Sequence, residues 1–180
     1  MVEPTKQIIM NKNNSKVTFA GNAMTLVGKE IEVGMSADNF TALDQGLSPV
    51  QLSDFGGKVK ILSAFPSVDT SVCSAQAHRF NKEAASLNKD IQIITLSNDL
   101  PFALGRFCGA EGIENLVTLS DHKDLDFGLK YGFVVEELRL LARGVIVIDK
   151  ENVVKHIEYV AEITEEPNYE TALEVAKSLV

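Results

Sequence analysis

Two apolar, β-rich runs, Lys58–Phe65 and Ile91–Ser97, flank a stretch whose apolar residues recur at helical spacing. Cys73, Ala77, Phe80, Ala84 and Leu87 fall at intervals of four, three, four and three, one stripe of an amphipathic helix. The pattern predicts a helix over Ser74–Asn88 that opens at about Cys73. Strand, helix, strand in this order call for parallel strands joined by a right-handed crossover. Pro66 ends the first strand, and the loop Ser67–Val72 leads into the helix.

The alternation continues downstream. Pro101–Ala110 predicts a second helix, with Pro in its first turn and Gly109 near its end. Leu116–Leu119 reads as a short strand and Leu125–Tyr131 as helical. Arg143–Ile148 and Val153–Val160 flank the turn-rich Asp149–Asn152 and predict an antiparallel hairpin. Pro167–Leu179 predicts a closing helix. Upstream, Lys16–Ala20 and Met24–Gly28 around Gly21 and Asn22 read as a β-hairpin. Asn39–Leu47 and Pro49–Phe55 read as a connecting segment with turns. The predicted class is α/β, a thioredoxin-like mixed sheet flanked by helices, with an N-terminal β-hairpin. Residues 1–16 read as a polar N-terminal extension and 17–180 as one domain. The chain has 180 residues, 45% apolar and 23% charged, which suits a single core.

Charge and hydropathy exclude several functions. A net charge of -8 repels phosphate and argues against nucleic-acid binding. No apolar run approaches the roughly 18 residues that would span a bilayer. Met1–Gln7 has neither an apolar signal core nor a small-residue cleavage site, so a cytoplasmic location is expected. The two cysteines are too few for a disulfide scaffold. In a reducing compartment they are either inert core residues or redox-active thiols. His78, His122 and His156 are scattered, with no ligand spacing, and neither a phosphate-binding loop nor a dinucleotide fingerprint is present. No cofactor and no metal are expected. Glu162, Glu165 and Glu166 read as a solvated stretch before the last helix.

The strand-loop-helix around Cys73 allows two readings. A thiol at a helix start meets unpaired N–H groups and a partial positive charge, which lower its pKa and favour the thiolate. Thr70, three residues earlier, places a hydroxyl that can point back at the sulfur or at an oxygen beside it. Equally, Cys73 can be a small core hydrophobe and Thr70 an ordinary helix-capping or loop hydroxyl. Cys108 shares an apolar face with Leu104 and Phe107, where a core role fits the spacing. Arg143 interrupts the apolar run Leu140–Ile148, at a strand start where arginines are usually solvated.

The segment Phe65–Asn81 resembles the active-site segment of the bacterial thiol peroxidases, atypical two-cysteine peroxiredoxins. Their Pro-x-x-x-Thr-x-x-Cys motif is met by Pro66, Thr70 and Cys73. Asp99–Ile113 resembles the family's resolving-cysteine segment, which implies that role for Cys108. Leu140–Asp149 is similar to the strand carrying the family's active-site arginine, here Arg143. Glu162–Tyr169 resembles the C-terminal block, so the likeness runs from about Val17 onward. Two departures, His78 and Arg79 before Phe80 and Gly144 after Arg143, bear on substrate preference rather than on the reaction.

The resemblance implies a hydroperoxide substrate, Cys73 as peroxidatic thiol, Cys108 as resolving thiol, thioredoxin as reductant and a homodimer. Because Cys73 opens one helix and Cys108 lies in the next, across a crossover, the reduced thiols are expected to lie too far apart to bond. Lowering a thiol pKa from about 8.5 to about 6 raises the thiolate fraction at pH 7 only ~30-fold. Most of the rate must therefore come from donors aimed at the two peroxide oxygens, with Arg143, Thr70 and backbone N–H groups as candidates and Pro66 as a shield. Two other classes compete. A disulfide oxidoreductase would show Cys-x-x-Cys, whereas Cys73 is followed by Ser74, Ala75 and Gln76. A redox sensor would oxidise once and stall.

Overall fold

A computed structural model describes residues 12–180. Eleven of the sixteen residues read as an extension therefore lie outside the described residues, and Lys12 already belongs to a strand. That strand, β1 (Lys12–Phe19), pairs antiparallel with β2 (Asn22–Val27) across a turn at Ala20 and Gly21, both at positive φ. The expected hairpin is thus present.

The parallel centre is formed by β5 (Val59–Ala64), β6 (Ile91–Ser97) and β7 (Val117–Ser120). Between them run α1 (Ser71–Ala84) and α2 (Pro101–Glu111). β10 (Gly144–Ile148) pairs antiparallel with β5 on one side and with β11 (Val154–Tyr159) on the other. Beyond β7 the sheet gains two three-residue strands, β3 (Thr41–Leu43) and β4 (Pro49–Gln51), followed by a 3-10 turn at Leu52–Phe55. The seven-stranded order is β11-β10-β5-β6-β7-β3-β4.

A second, antiparallel sheet has the order β1-β2-β8-β9, with β8 at Val134–Val135 and β9 at Leu140–Leu141. The remaining helices are α3 (Asp126–Tyr131) and α4 (Tyr169–Lys177). The architecture is the expected thioredoxin-like mixed sheet with helices on both faces.

Alternation along β5 divides the core. Val59 and Ile61 face α1 and α4, where Phe80 meets Tyr169 edge-on at 5.3 Å and Ala172, Leu173 and Ala176 complete the layer. Leu62 and Ala64 face the opposite cluster, with Phe40, Phe127, Tyr131 and Phe133. Burying a side chain of this size contributes about 1.5–3 kcal/mol.

Three expectations are corrected here. The segment 39–55 is an extension of the sheet rather than a plain connection, because Thr41 N is held by Asp126 Oδ2 at 2.8 Å and Leu43 pairs with Ser120. The first helix starts at Ser71 rather than Ser74 and ends at Ala84, so Cys73 lies inside its first turn. Glu162 is no merely solvated acid. It accepts hydrogen bonds from Thr18 Oγ1, the amides of Ala20 and Gly21, and both Thr164 N and Oγ1. These donors, Thr164 foremost, hold its carboxyl well below the usual carboxylate range.

The buried Asp121 carboxylate caps α3 from outside, accepting from Phe127 N at 2.9 Å and Gly128 N at 2.8 Å. Burial nevertheless pushes its pKa up to about 7, with Asp126 and Asp124 adding to the rise. The folded pKa exceeds the unfolded one, so the contribution is complete below about pH 4 and is lost as pH rises through 7. We expect urea unfolding to show stability falling between pH 4 and 8, by at most about 4 kcal/mol from this group. Asp121→Asn, which is neutral at every pH, should flatten that part of the profile. A variant with the wild-type slope would remove Asp121 as its source.

Candidate active site

β5 delivers the chain to the site. After Ala64 come buried Phe65 and Pro66, then a short loop, then Thr70 in extended conformation as the N-cap residue of α1. Cys73 is the third helical residue and has no solvent exposure. First-turn amides of a helix lack acceptors within it and carry partial positive charge, so the sulfur sits where negative charge is favoured. Phe65, Val68 and Leu104 pack around it, with Phe107 at the edge.

Arg143 enters from the opposite side, immediately before β10. It is only 2% exposed, unlike the usual solvated arginine at a strand start. Its guanidinium makes three directed bonds: Nε donates to Ile163 O at 2.8 Å, Nη1 to Gln76 Oε1 at 2.7 Å and Nη2 to Cys73 Sγ at 3.2 Å. Gln76 is itself completely buried and fixed by β5, donating to Ser63 Oγ at 2.8 Å and Ala64 O at 3.3 Å.

Gln76 was missed by the sequence reading. It lies three residues after Cys73 and four before Phe80, on the buried face of α1. A polar residue at a position where helical spacing demands an apolar one was the available signal.

Of the two readings of Thr70, the structure shows the loop hydroxyl. Its hydroxyl donates to Ser67 O at 3.1 Å, and its amide donates to the same carbonyl at 3.2 Å. Closing that turn occupies the hydroxyl, which is exposed and directed to the loop rather than to the sulfur. The backbone carbonyl of Thr70 accepts the first helical bond, from Ser74 N at 3.0 Å.

Cys108 is buried on α2, and its Sγ lies 3.6 Å from Thr118 Oγ1 on β7. Both cysteines are free. Each thiol has its own neighbours, Arg143 and the Phe65 cluster for one and β7 for the other. A cavity of about 270 Å³ opens between the start of α1 and α2, lined by Val68, Ser74, Phe107 and Ala110 among others. His78 faces the same inter-helix region, 3.0 Å from Glu111 and edge-on to Phe107. Arg79 turns away to bond Glu83 and Glu170 and to cover the Tyr169 ring. Among the described residues no group of three or more His, Cys, Asp or Glu side chains is arranged to hold a metal ion. Nor is any helix there long and apolar enough to cross a membrane.

A helix-start thiol under a buried arginine, on a thioredoxin-like sheet, defines a redoxin-class oxidoreductase site. The Redoxin family profile matches residues 32–173. A thiol peroxidase of Halalkalibacterium halodurans is 52% identical over 91% of this chain and 98% of its own. One of Bacillus subtilis is 51% identical over 92% and 99%. The crystal structure of a peroxiredoxin-like protein from Aquifex aeolicus superposes with a TM-score of 0.86 at 34% identity, covering 95% of this chain and 99% of that one. A thiol peroxidase from Chromobacterium violaceum, 19% identical with a TM-score of 0.80 over 90% and 95%, shares the fold. The chain belongs to the Redoxin family and, within it, to the thiol peroxidases.

Gln76→Leu leaves the buried Nη1 donor of Arg143 and the Ser63 hydroxyl without this partner. We expect a loss of about 1–3 kcal/mol in urea unfolding, the cost of unsatisfied buried polar groups. An unchanged midpoint would show that the guanidinium does not depend on Gln76.

Proposed function

We propose that the chain reduces hydrogen peroxide and organic hydroperoxides through Cys73 and recycles through a Cys73–Cys108 disulfide. The observation that carries this reading is the 3.2 Å contact between Arg143 Nη2 and Cys73 Sγ at a completely buried helix start. The Cys73 thiolate attacks one peroxide oxygen, the O–O bond breaks, and the other oxygen leaves as hydroxide or alkoxide and takes up a proton. Cys73 becomes a sulfenic acid.

Arg143 faces the sulfur directly, so its charge is available both to the thiolate and to an oxygen bound beside it. The amides of the first turn of α1 supply further donors. Pro66, buried at the strand end, walls the site and limits water. Thr70 contributes through its carbonyl and its turn, which set the start of α1. The geometry supports no direct bond from its hydroxyl to the sulfur.

The Cys108 thiol then condenses with the sulfenic acid, releasing water and forming the disulfide. A thioredoxin-type dithiol restores both thiols by exchange and is itself oxidised. The reading includes a cytoplasmic location, as expected from the sequence, and a homodimer, carried over from the family likeness.

A coupled assay with thioredoxin and several hydroperoxides tests the cycle. Cys73→Ser should lose turnover altogether. Cys108→Ser should consume one equivalent of peroxide and then stop. Sustained thioredoxin-supported turnover by Cys108→Ser would take Cys108 out of the cycle, and a wild type that stalls after one equivalent would mark a sensor instead of a peroxidase.

Arg143→Ala should slow the peroxide step by about 10²-fold or more, the scale of losing one preorganised transition-state donor. The slowing should persist at a pH high enough to ionise the thiol in both proteins. Stopped-flow oxidation checks this, and equal rates at that pH would restrict Arg143 to holding the thiolate.

A further inference from the structure

Asp99 lies between the two thiol-bearing segments. It follows β6 and stands one residue before Leu100, the N-cap residue of α2, which carries Cys108. Its carboxylate faces the loop ahead of Cys73. Oδ1 accepts from Ser67 Oγ at 2.7 Å, and Oδ2 accepts from Val68 N at 2.9 Å and from Ser97 Oγ at 2.7 Å. The backbone of Asp99 is anchored to the sheet. Its carbonyl accepts from Ser120 Oγ at the end of β7, and its amide lies 3.3 Å from Ser97 Oγ at the end of β6.

The loop's other polar contacts are weaker holds. Those from Asp69 N, Thr70 N and Thr70 Oγ1 return to Ser67 itself. The Asp69–Arg106 pair is 3.8 Å apart and exposed on both sides, which is worth little. Among the described residues the short polar ties from this loop to the sheet therefore run through one carboxylate. Val68 is the junction, with its amide on Asp99 and its side chain in the cluster around Cys73.

We propose that Asp99 is a positioning residue that holds the Cys73 loop closed for the peroxide step and thereby sets how fast the disulfide forms. This rests on the two-cysteine cycle proposed above. With the loop closed, Cys73 stays beneath Arg143, where ROOH and thiolate give Cys73–SOH and RO⁻. In this proposal disulfide closure, Cys73–SOH plus Cys108–SH giving S–S and water, begins with the sulfur leaving Phe65, Val68 and Leu104, because Cys108 has its own neighbour in Thr118. A second peroxide competes at that point, converting Cys73–SOH and ROOH to Cys73–SO₂H and ROH. Loosening the Asp99 ties should therefore move the two productive steps in opposite directions.

Rapid-quench mass spectrometry of the reduced full-length protein, with hydrogen peroxide as oxidant, resolves thiol, sulfenic acid, disulfide and sulfinic acid. In Asp99→Ala, Cys73 oxidation should slow about tenfold, the scale of losing one hydrogen bond. Disulfide closure should speed up by about threefold or more by the same reasoning, and the sulfinic fraction at equal peroxide should fall. Asp99→Asn keeps an oxygen for Val68 N and Ser97 Oγ, and its Nδ2 donates to Ser67 Oγ, so both rates should return to within about twofold of wild type. Ser67→Ala, which removes one tie and leaves the carboxylate, should shift both rates in the same directions by less. Slowing of both steps together in Asp99→Ala, no change in either, or Asp99→Asn behaving like Asp99→Ala would overturn the proposal. Wild-type protein that forms no Cys73–Cys108 disulfide would overturn the cycle itself, before any variant is compared.

Discussion

The Arg143 guanidinium is a charged group held at 2% exposure. Removing its charge from water is unfavourable by several kcal/mol even after relaxation, and only directed partners offset that. Arg143 has a backbone carbonyl, a side-chain amide oxygen and a sulfur as acceptors. Of these three, only the sulfur can carry negative charge. The thiolate form of Cys73 is thus the form that completes the arginine's environment. Much of the surrounding structure serves to hold the other two acceptors in place.

Gln76 Oε1 is aimed because the same amide donates to Ser63 and Ala64 on β5, so strand and helix are locked in one orientation. Ile163 O is aimed by a longer chain of contacts. Ile163 N bonds Thr18 O, Thr18 N bonds Ala161 O, and neighbouring Glu162 gathers Thr18, Ala20, Gly21 and Thr164. The N-terminal hairpin thereby pins the segment that presents a carbonyl to Arg143. A hairpin outside the seven-stranded sheet is in this way part of the support of the site.

The large features were legible because they rest on periodicity. β6 was read with its observed limits, and the two crossover helices and the β10–β11 hairpin were found within a few residues. β3, β4, β8 and β9 were not, since strands of two or three residues carry no measurable alternation and exist only through pairing with distant segments. The site divides the same way. Cys73, Cys108, Pro66 and Arg143 came from motif blocks, and Arg143 in particular was invisible to local rules, which expect a solvated arginine there. Gln76 lies beside the counted apolar stripe and is buried with it, three residues after Cys73. Sequence spacing left the Thr70 hydroxyl free to face the sulfur, an oxygen beside it or the loop, and the turn back to Ser67 takes its proton, a local preference common to Ser and Thr.

The same electrostatics bear on how the site would open. In the proposed cycle the negative charge that completes Arg143 is consumed in the first step. The sulfenic acid is neutral, so the guanidinium is then left with two neutral oxygens and no anion in a buried position. A buried charge that loses its partner is strongly destabilising. The arrangement that is most favourable before oxidation therefore becomes strained by the reaction it promotes. In that cycle the strain falls on the Cys73 side: β5, β10 and the Ile163 segment are tied by strand pairing and backbone bonds, whereas Cys73 stands in the first turn of a helix at the end of a short loop. Rigid placement of the arginine and release of the sulfur are then consequences of one charge balance, read before and after the oxygen transfer.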